Sequence, residues 1–501
     1  MNPVLIRTLL IGVFILFLHQ GIRAQTQSTP VEIENADVLT IENSDSGSVR
    51  ILTGNVQFRQ DTLTLRCDSA RHYPEYNFLQ AFSNVIIQIT DTTQLRGNYL
   101  AYDGNLRIAE MYHKVKLKDG NTLLETEKLT YYRDNGIALY PLPGKLTDAD
   151  NVLTSLSGTY HTQDNIVYFK REVKLVNPEF RLETDTLGYL TTARTAMFVA
   201  PTVIYMDNDT LNTNLGEYFT QQRKALLYNR SSIRDSDYYL TADTLWYSEK
   251  TGLGEAIGNV FLCKRDSTLN LTGDCAQIDR LQNTTLVYED PVVVQKIEKD
   301  TLHLFAHQFK ALQDTVANKS WLCAWPHVKI FMKDLQGVCD SLVYQVEDSL
   351  LTLYQAPVLW SSENQITGDT IRIWLKNKEM DSLRIYASCF LISQADSAGY
   401  NQVKGRQMYG KFKDNALHKL KVNGNAESIY FSKNEEKNTY DGVNKSLSNE
   451  ILIYFEEQKP KKISFLSKPD GSFIPYYEVY ENPPLLEDFN WQPERRPVLI
   501  K

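Results

Sequence analysis

The stretch Leu240-Thr-Ala-Asp-Thr-Leu-Trp-Tyr247 has the pattern L-x-small-D-T-L-x-Y, which recurs along the chain at nearly constant spacing. Successive clear copies are 29 to 31 residues apart. They start at Leu65, Leu95, Leu124, Leu153, Leu182, Leu211, Leu240 and Leu271, and weaker copies start at Leu304, Gly337, Ile366 and Val403. A fixed period of this length is typical of a repeat architecture.

A second element follows each anchor leucine and has the form G-N-V-x-L, as in Gly258-Asn-Val260-Phe-Leu262. Its apolar column includes Val85, Val115, Val173, Val203 and Val260. Clusters of turn-forming residues lie between the elements. Segments of alternating apolar residues, rich in Tyr, Thr and Val and separated by turn-forming residues, predict two β-strands per repeat.

The alternation also assigns the faces of the first strand. The anchor leucine and the small third residue share one face, whereas Glu183 and Asp185 lie on the other. Apolar residues occupy the odd-numbered positions of the motif before the aspartate and the even-numbered positions after it, which predicts a bulge or corner there. We therefore predict an all-β chain of about twelve stacked two-strand repeats of ~29 residues, since one unit cannot bury its inner face alone.

The N-terminus predicts export. Arg7 precedes the apolar run 9–18, and Ala24 offers a small residue ahead of polar Gln25. This is the pattern of a secretory signal peptide. A membrane anchor is the alternative, but a bilayer span needs ~20 apolar residues. The net charge of −8 comes without a basic patch, which argues against nucleic acid as a partner.

Two columns of the repeat could carry chemistry. An aspartate column includes Asp243 and Asp274, but Leu156 and Arg406 occupy the same position in other copies, which favours solvated aspartates near turns over metal or acid sites. A tyrosine column at the eighth position favours cross-strand packing over a carbohydrate platform.

The other candidates for chemistry are weaker. His303 and His307 share a strand face without a third ligand. The cysteines have no C-x-x-C pair and are at least as consistent with buried thiols as with disulfides: Cys67, Cys263, Cys275, Cys323, Cys339 and Cys389. No catalytic motif is present, so we expect neither an enzyme nor a cofactor.

L-x-A-D-T-L-x-Y followed by G-N-V-x-L resembles the OstA-like (organic solvent tolerance) family over roughly residues 30–430. These lipopolysaccharide-transport proteins form a β-jellyroll bridge between the two membranes of Gram-negative cells. The resemblance implies an elongated, twisted β-jellyroll in the periplasm, with lipid acyl chains in its interior. It also implies lipopolysaccharide or a related lipid as ligand, and end-to-end strand addition to other jellyroll proteins of the transport machinery. The chain departs from the family in its greater length and in lacking the large outer-membrane barrel of the family's insertase.

The predicted organisation is a signal peptide at 1–24, a first jellyroll segment at 25–265, a second at 266–430 that continues the same stack, and a C-terminal cap and tail at 431–501. Phe489 and Trp491 of the tail should pack on the rest of the chain. We expect the N-terminal docking edge near residues 49–58. The predicted lipid-contacting residues are Leu65, Leu95, Leu124, Leu153, Leu182, Leu211, Leu240, Val85, Val115, Val173, Val203 and Val260.

Three alternatives use the same repeats. One is a structural envelope protein with a filled β core. Another is an outer-membrane barrel, but membrane strands need a lipid face of large apolar side chains, and here one face is small and the other charged. The third is a parallel β-helix that acts on polysaccharide, which would show a local acidic or arginine cluster.

Overall fold

The computed structural model describes residues 29–44, 47–206, 209–234, 238–264, 269–297, 300–376, 379–395, 399–413, 416–434, 439–456 and 459–499. The predicted signal peptide, residues 1–24, lies outside the described residues. The chain divides into two compact units, Met1–Asn177 (unit 1) and Pro178–Lys501 (unit 2). Across the part of the chain that is described, no helix has the length and apolar character needed to cross a membrane.

Unit 1 is built from antiparallel strands. They are β1 (Glu32–Asn35), β2 (Val38–Ser44), β3 (Gly47–Gln60), β4 (Leu63–Tyr73), β5 (Phe78–Gln88), β6 (Thr93–Asp103), β7 (Ile108–Asp119), β8 (Thr122–Tyr132), β9 (Ile137–Tyr140), β10 (Gly144–Asp148), β11 (Asn151–Ser155), β12 (Ser157–His161) and β13 (Ile166–Asn177), with single 3-10 turns at Pro74–Tyr76 and Arg133–Asn135.

Unit 2 continues the same pattern. Its strands are β14 (Phe180–Leu190), β15 (Thr195–Phe198), β16 (Thr202–Met206), β17 (Thr210–Thr213), β18 (Leu215–Phe219), β19 (Lys224–Tyr228), β20 (Ser231–Arg234), β21 (Tyr238–Ala242), β22 (Thr244–Ser248), β23 (Leu253–Lys264), β24 (Leu269–Asp279), β25 (Thr284–Tyr288), β26 (Val292–Ile297), β27 (Asp300–Phe305), β28 (Gln308–Asp314), β29 (Lys319–Trp325), β30 (Val328–Phe331), β31 (Leu335–Cys339), β32 (Ser341–Gln345), β33 (Leu350–Tyr354), β34 (Val358–Ser361), β35 (Asn364–Thr367), β36 (Thr370–Lys376), β37 (Glu379–Ala395), β38 (Gly399–Lys413), β39 (Ala416–Asn434), β40 (Thr439–Glu456), β41 (Lys459–Leu466) and β42 (Asp470–Pro475), followed by the helix α1 (Tyr476–Val479) and a 3-10 turn at Pro493–Arg495. The all-β prediction is confirmed.

Each repeat bends at its middle, as the parity switch predicts. In β4 the buried residues Cys67 and Ala70 flank two residues that are not buried, Asp68 and Ser69. In other repeats the same point separates two strands, for example at Asp243 between β21 and β22. The corner after the aspartate is therefore confirmed.

The extra residue of the corner lies on the second strand of the repeat. Between Phe82 and Val85, β5 has one residue more than its partner β6. The two residues there, Ser83 and Asn84, are left-handed, with φ of 60° and 50°. Left-handed pairs recur at 54–55, 113–114, 171–172, 258–259 and 289–290. Asparagine and glycine adopt this conformation most readily, which explains the G-N of the motif.

The aspartate column holds this corner together. Asn84 Nδ2 donates to Asp68 Oδ2 at 2.7 Å, and Asn259 Nδ2 donates to Asp243 Oδ2 at 2.6 Å. The backbone N–H of Asp243 also donates to the carbonyl oxygen of Gly258 at 2.9 Å. The aspartate of one motif and the asparagine of the other are therefore partners in one structural contact.

The small third position of the repeat lies where the two arms of the bend converge. A Cβ added to Gly97 would approach Met111 Cγ to 2.6 Å, and one added to Gly273 would approach Val287 Cγ1 to 2.7 Å. Real Cβ atoms do not come this close. The third position must therefore be small because the interior narrows towards the corner.

The predicted N-terminal edge is wrong. Residues 49–58 lie in β3, and β3 is covered by β1 and β2: Glu32 pairs with Arg59, and Leu39 pairs with Leu52. The prediction missed a further copy of the repeat, in which Ala36-Asp37 stands 31 residues before Cys67-Asp68. In the described pairings, the edge of unit 1 is β1 and β2.

The end of the chain crosses the outer face of unit 2. Phe489 and Trp491 pack against Tyr400 with tilted rings, whose centroids lie 5.1 and 5.6 Å from that of Tyr400, which confirms that they pack on the chain. They join a cluster of outer-face residues that includes Phe390 and Phe431. We call residues 480–499 the C-terminal strap.

Three buried glutamines, one each in β31, β35 and β38, hold the strap. Gln402 Oε1 accepts from the N–H of Leu486 at 2.8 Å, and Gln365 Oε1 accepts from the N–H of Gln492 at 2.7 Å. Gln336 Oε1 accepts from Arg496 Nε at 2.8 Å. Each glutamine directly precedes an inward-facing residue in its strand, so its own side chain points outwards. The strap therefore covers the outer face and does not enter the interior.

Candidate functional site

The anchor leucines line the interior of both units. Relative exposures are 0% for Leu65, Leu95, Leu124, Leu153, Leu182 and Leu211, and 4% for Leu240. Val85, Val115, Val173 and Val260 are exposed by 1–2%. Within each unit, these predicted residues therefore lie in an apolar core between the two arms of the repeats.

Val203 is the exception, and its assignment to the interior is wrong. It is half-buried and pairs with Glu183, whereas its neighbour Ile204 is fully buried and pairs with Leu182. The reason is spacing. Val85, Val115, Val173 and Val260 each follow their anchor by 20 residues, but Val203 follows Leu182 by 21. A shift of one residue moves a side chain to the opposite face of a strand.

Tyrosines of the eighth position cover this core from the side opposite the corner. Tyr102, Tyr160 and Tyr247 are buried, and each directs its hydroxyl group to a polar side chain at a strand end. The acceptors are Gln60 Oε1 for Tyr102, Asp119 Oδ2 for Tyr160 at 2.7 Å and Asp209 Oδ2 for Tyr247 at 3.5 Å. Burial raises the pKa of Tyr247 to about 12, so its hydroxyl remains a donor.

Two rows of hairpin turns border the interior above these tyrosines. In unit 1, rim A comprises the turns at 61–62, 89–92, 120–121 and 149–150, and rim B comprises those at 74–77, 104–107, 133–136 and 162–165. In unit 2, rim A includes Glu179 and Asp209, and rim B includes the turns at 191–194, 220–223, 249–252 and 280–283. We call the strip between the rims the mouth.

Charged pairs join the rims across the mouth of unit 1. Asp61 of rim A accepts from Arg107 Nη2 at 3.0 Å and lies 3.3 Å from Arg133 Nη1, both of rim B. Thr29 Oγ1 also donates to Asp61, at 2.6 Å. That hydrogen bond and the two guanidinium charges lower the pKa of Asp61 from its usual value. The mouth is therefore closed here by a polar contact over an apolar core.

Unit 2 repeats the arrangement. Arg223 of rim B donates to Glu179 Oε1 of rim A at 3.0 Å and also to Glu249 of its own rim. Asp209 lies 2.8 Å from Arg280 Nη2, and its side chain is only 6% exposed. These pairs were not predicted from the sequence. Acidic residues at 61, 179 and 209 and arginines at 107, 223 and 280 recur near multiples of the repeat, and that recurrence was the available signal.

The remaining sequence candidates lie apart from the mouth. The six cysteines are free thiols, and Cys67, Cys339 and Cys389 are buried. Burial raises the pKa of Cys67 to about 12, so this thiol is unreactive. His307 faces His327, with ring centroids 5.1 Å apart, whereas His303 packs near Phe331. The structure therefore does not bring His303 and His307 into one site.

The repeated corner and the apolar interior can be compared with known families. Residues 28–185 match the family described as OstA-like protein. This segment is OstA-like. The match covers the described part of unit 1 and the beginning of unit 2, and it confirms the family resemblance there.

Among solved structures, one similar chain is that of LptH from Pseudomonas aeruginosa, described as the LptA homologous periplasmic component of the conserved lipopolysaccharide transport device. The identity is 15%, the TM-score is 0.14, and the alignment covers 27% of this chain and 79% of that one. No curated protein matches the chain. Residues 28–185 are thus the part of the chain that matches a family model.

Proposed function

We propose that the protein is a non-enzymatic carrier that moves lipopolysaccharide or a related lipid through the periplasm towards the outer membrane, with the acyl chains held between the arms of its repeats. The observation that carries the proposal is the layered cross-section. An apolar interior lies beneath a polar mouth, as an amphipathic lipid requires, and the OstA-like match supports the same function. The predicted segments 25–265, 266–430 and 431–501 remain part of this proposal.

The energetic reason for such an interior is simple. Each CH₂ group moved from a membrane into water costs ~0.8 kcal/mol, so one acyl chain of about twelve carbons costs on the order of 10 kcal/mol. Leucine and valine columns offset this cost only if the chain reaches them. Because those columns are fully buried, the two arms must separate to admit the lipid.

A structural envelope protein is the second candidate, and the complete burial of the anchor leucines favours it. Site-specific photo-crosslinking in cells separates the two functions. A compact diazirine side chain at Leu95 faces the interior, whereas the same probe at Arg96 faces outwards on the same strand. A carrier gives lipopolysaccharide adducts from position 95 and none from 96. Absence of adducts from both, with normal protein levels, contradicts the carrier function.

Docking to partner jellyrolls is proposed through β1 and β2. Val38, Leu39 and Ile41 are 50–56% exposed on the edge strand β2, and an apolar edge with free backbone groups is a template for strand addition. Leu39→Lys combined with Ile41→Lys should abolish co-purification with membrane partners and lower detergent resistance, without changing the melting temperature. Leu139→Lys, on an inner strand of unit 1, is the matched control. Unchanged co-purification in the double variant would exclude this edge.

A further inference from the structure

We propose that the arginines of rim B form a binding site for the anionic groups of a lipid headgroup, and that the carboxylates of rim A occupy this site when the mouth is closed. The inference rests on the proposed carrier function and adds the chemistry of the headgroup. The ligand groups are oxyanions, phosphate or carboxylate, attached to the acyl chains that enter the interior.

The first observation is that the arginines face carboxylates at the point where a headgroup would lie. Arg107 binds Asp61 directly above the core that contains Tyr102. A guanidinium group presents a planar set of donors that fits a carboxylate or a phosphate equally well. A headgroup anion can therefore replace the Asp61 carboxylate without a change in the geometry of the donors.

The second observation is the backbone conformation of these arginines. Arg107, Arg194 and Arg223 have left-handed φ values of 55°, 49° and 53°. In other turns of rim B the corresponding left-handed residue is one that adopts this conformation easily: Asn77, Gly136, Asn165, Gly252 or Asn283. For arginine this conformation is sterically disfavoured, because its Cβ comes too close to the following carbonyl oxygen. At these three turns of rim B the chain nevertheless has an arginine, which places a guanidinium group at the mouth.

The third observation is that the pairs differ in exposure. The side chains of Asp61, Arg107 and Arg223 are 29–30% exposed and that of Glu179 is 48% exposed, and ion pairs of this kind contribute little to stability, so a ligand can replace the rim A carboxylate. The Asp209 side chain is 6% exposed and also accepts from Tyr247. We therefore assign the exchangeable sites to Arg107 and Arg223, and a permanent closing contact to the pair of Asp209 and Arg280.

The test uses the purified, full mature chain and two lipids with the same tails. Dioctanoyl phosphatidic acid carries a phosphate, and dioctanoylglycerol does not. Binding of each is measured by calorimetry below its critical micelle concentration. We expect phosphatidic acid to bind about tenfold more tightly, the effect of one charge-assisted hydrogen bond of ~1.4 kcal/mol.

Variants locate the site. Arg107→Gln combined with Arg133→Gln should weaken phosphatidic acid binding about tenfold and leave dioctanoylglycerol binding unchanged. Asp61→Asn removes the competing charge and should strengthen phosphatidic acid binding severalfold. Glu125→Gln breaks a pair of similar length with Lys116 (2.8 Å) and should change neither affinity. Thermal melts of all variants verify folding.

Each other outcome has a defined meaning. Equal binding of the two lipids, unaffected by the arginine variant, overturns the headgroup site and leaves the carrier function standing. Failure of both lipids to bind overturns the carrier function itself. If inorganic phosphate alone binds wild-type protein as tightly as phosphatidic acid, and the arginine variant abolishes it, the site serves free phosphate and the headgroup assignment is wrong.

Discussion

Two adjacent leucines of β8 provide a test of the assigned faces. Leu124 is fully buried and pairs with Leu117 and Leu146, which are fully buried as well. Leu123 is half-buried and pairs with Lys118 and Thr147 on the outer face. The substitutions Leu124→Ala and Leu123→Ala therefore remove the same atoms from the two faces of one strand.

The expected magnitudes differ severalfold. Leu124→Ala removes a side chain from a closed core and leaves a cavity, which costs about 3–4 kcal/mol. Leu123→Ala leaves no enclosed cavity and costs about 1 kcal/mol or less. With a urea m-value of about 2 kcal/mol/M, the unfolding midpoint falls by about 1.5–2 M for the first variant and about 0.5 M for the second.

Urea unfolding is followed by far-UV circular dichroism, and hydrogen exchange of peptides from β7 and β8 assigns the change to unit 1. All six tryptophans, by contrast, lie in unit 2, so their emission records that unit separately. Equal losses of stability in the two variants would refute the inward and outward assignment on which the lipid-contacting residues depend.

Further predictions concern acid stability, the corner and the strap. Burial lowers the pKa of His72 to about 4, so as the pH falls this histidine is protonated in the unfolded chain before it is protonated in the folded protein. The free energy of unfolding should therefore be at its full value above about pH 6.5 and fall by up to about 3 kcal/mol towards pH 4. The variant His72→Leu should not show this loss in urea unfolding measured as a function of pH. Asp243→Ala should cost about 1 kcal/mol in thermal unfolding, because Asn259 loses its acceptor, whereas Asp243→Asn should cost less. Gln402→Leu leaves the N–H of Leu486 without its acceptor, so limited proteolysis of the C-terminal strap should become faster.

The inward face of the repeats was predictable from sequence because side chains alternate between the two faces of a strand. Once the anchor leucines are aligned, this alternation determines which of the other residues face inwards. The same rule explains the failure at Val203. Its apolar character was read correctly, but a distance of 21 residues from Leu182 places it on the opposite face from Ile204. The spacing to the anchor is thus more informative than the type of residue.

Contacts between distant parts of the repeat were not predictable in the same way. Asp68 and Asn84 belong to motifs that were recognised separately, and only the bend brings them together. Arg107 reaches Asp61 from 46 residues away, across two rims that exist only after stacking. From a single sequence, such residues are interpreted as solvated charges, because the pattern within one strand does not indicate a partner on another rim.

The proposed function depends on the balance between the mouth and the interior. The partly exposed pair of Arg107 and Asp61 contributes little stability, so a headgroup anion can displace Asp61 at little cost and gain the charge-assisted hydrogen bond to Arg107. The interior is different, since each fully buried leucine that loses its packing costs several kcal/mol. An acyl chain restores those contacts at ~0.8 kcal/mol per CH₂ group, so the chain supplies most of the free energy of opening and the headgroup anion adds to it. Free phosphate lacks the chain and cannot replace the lost leucine contacts. A neutral lipid lacks the anion and should bind more weakly, so a carrier built in this way should bind a molecule with both features most tightly.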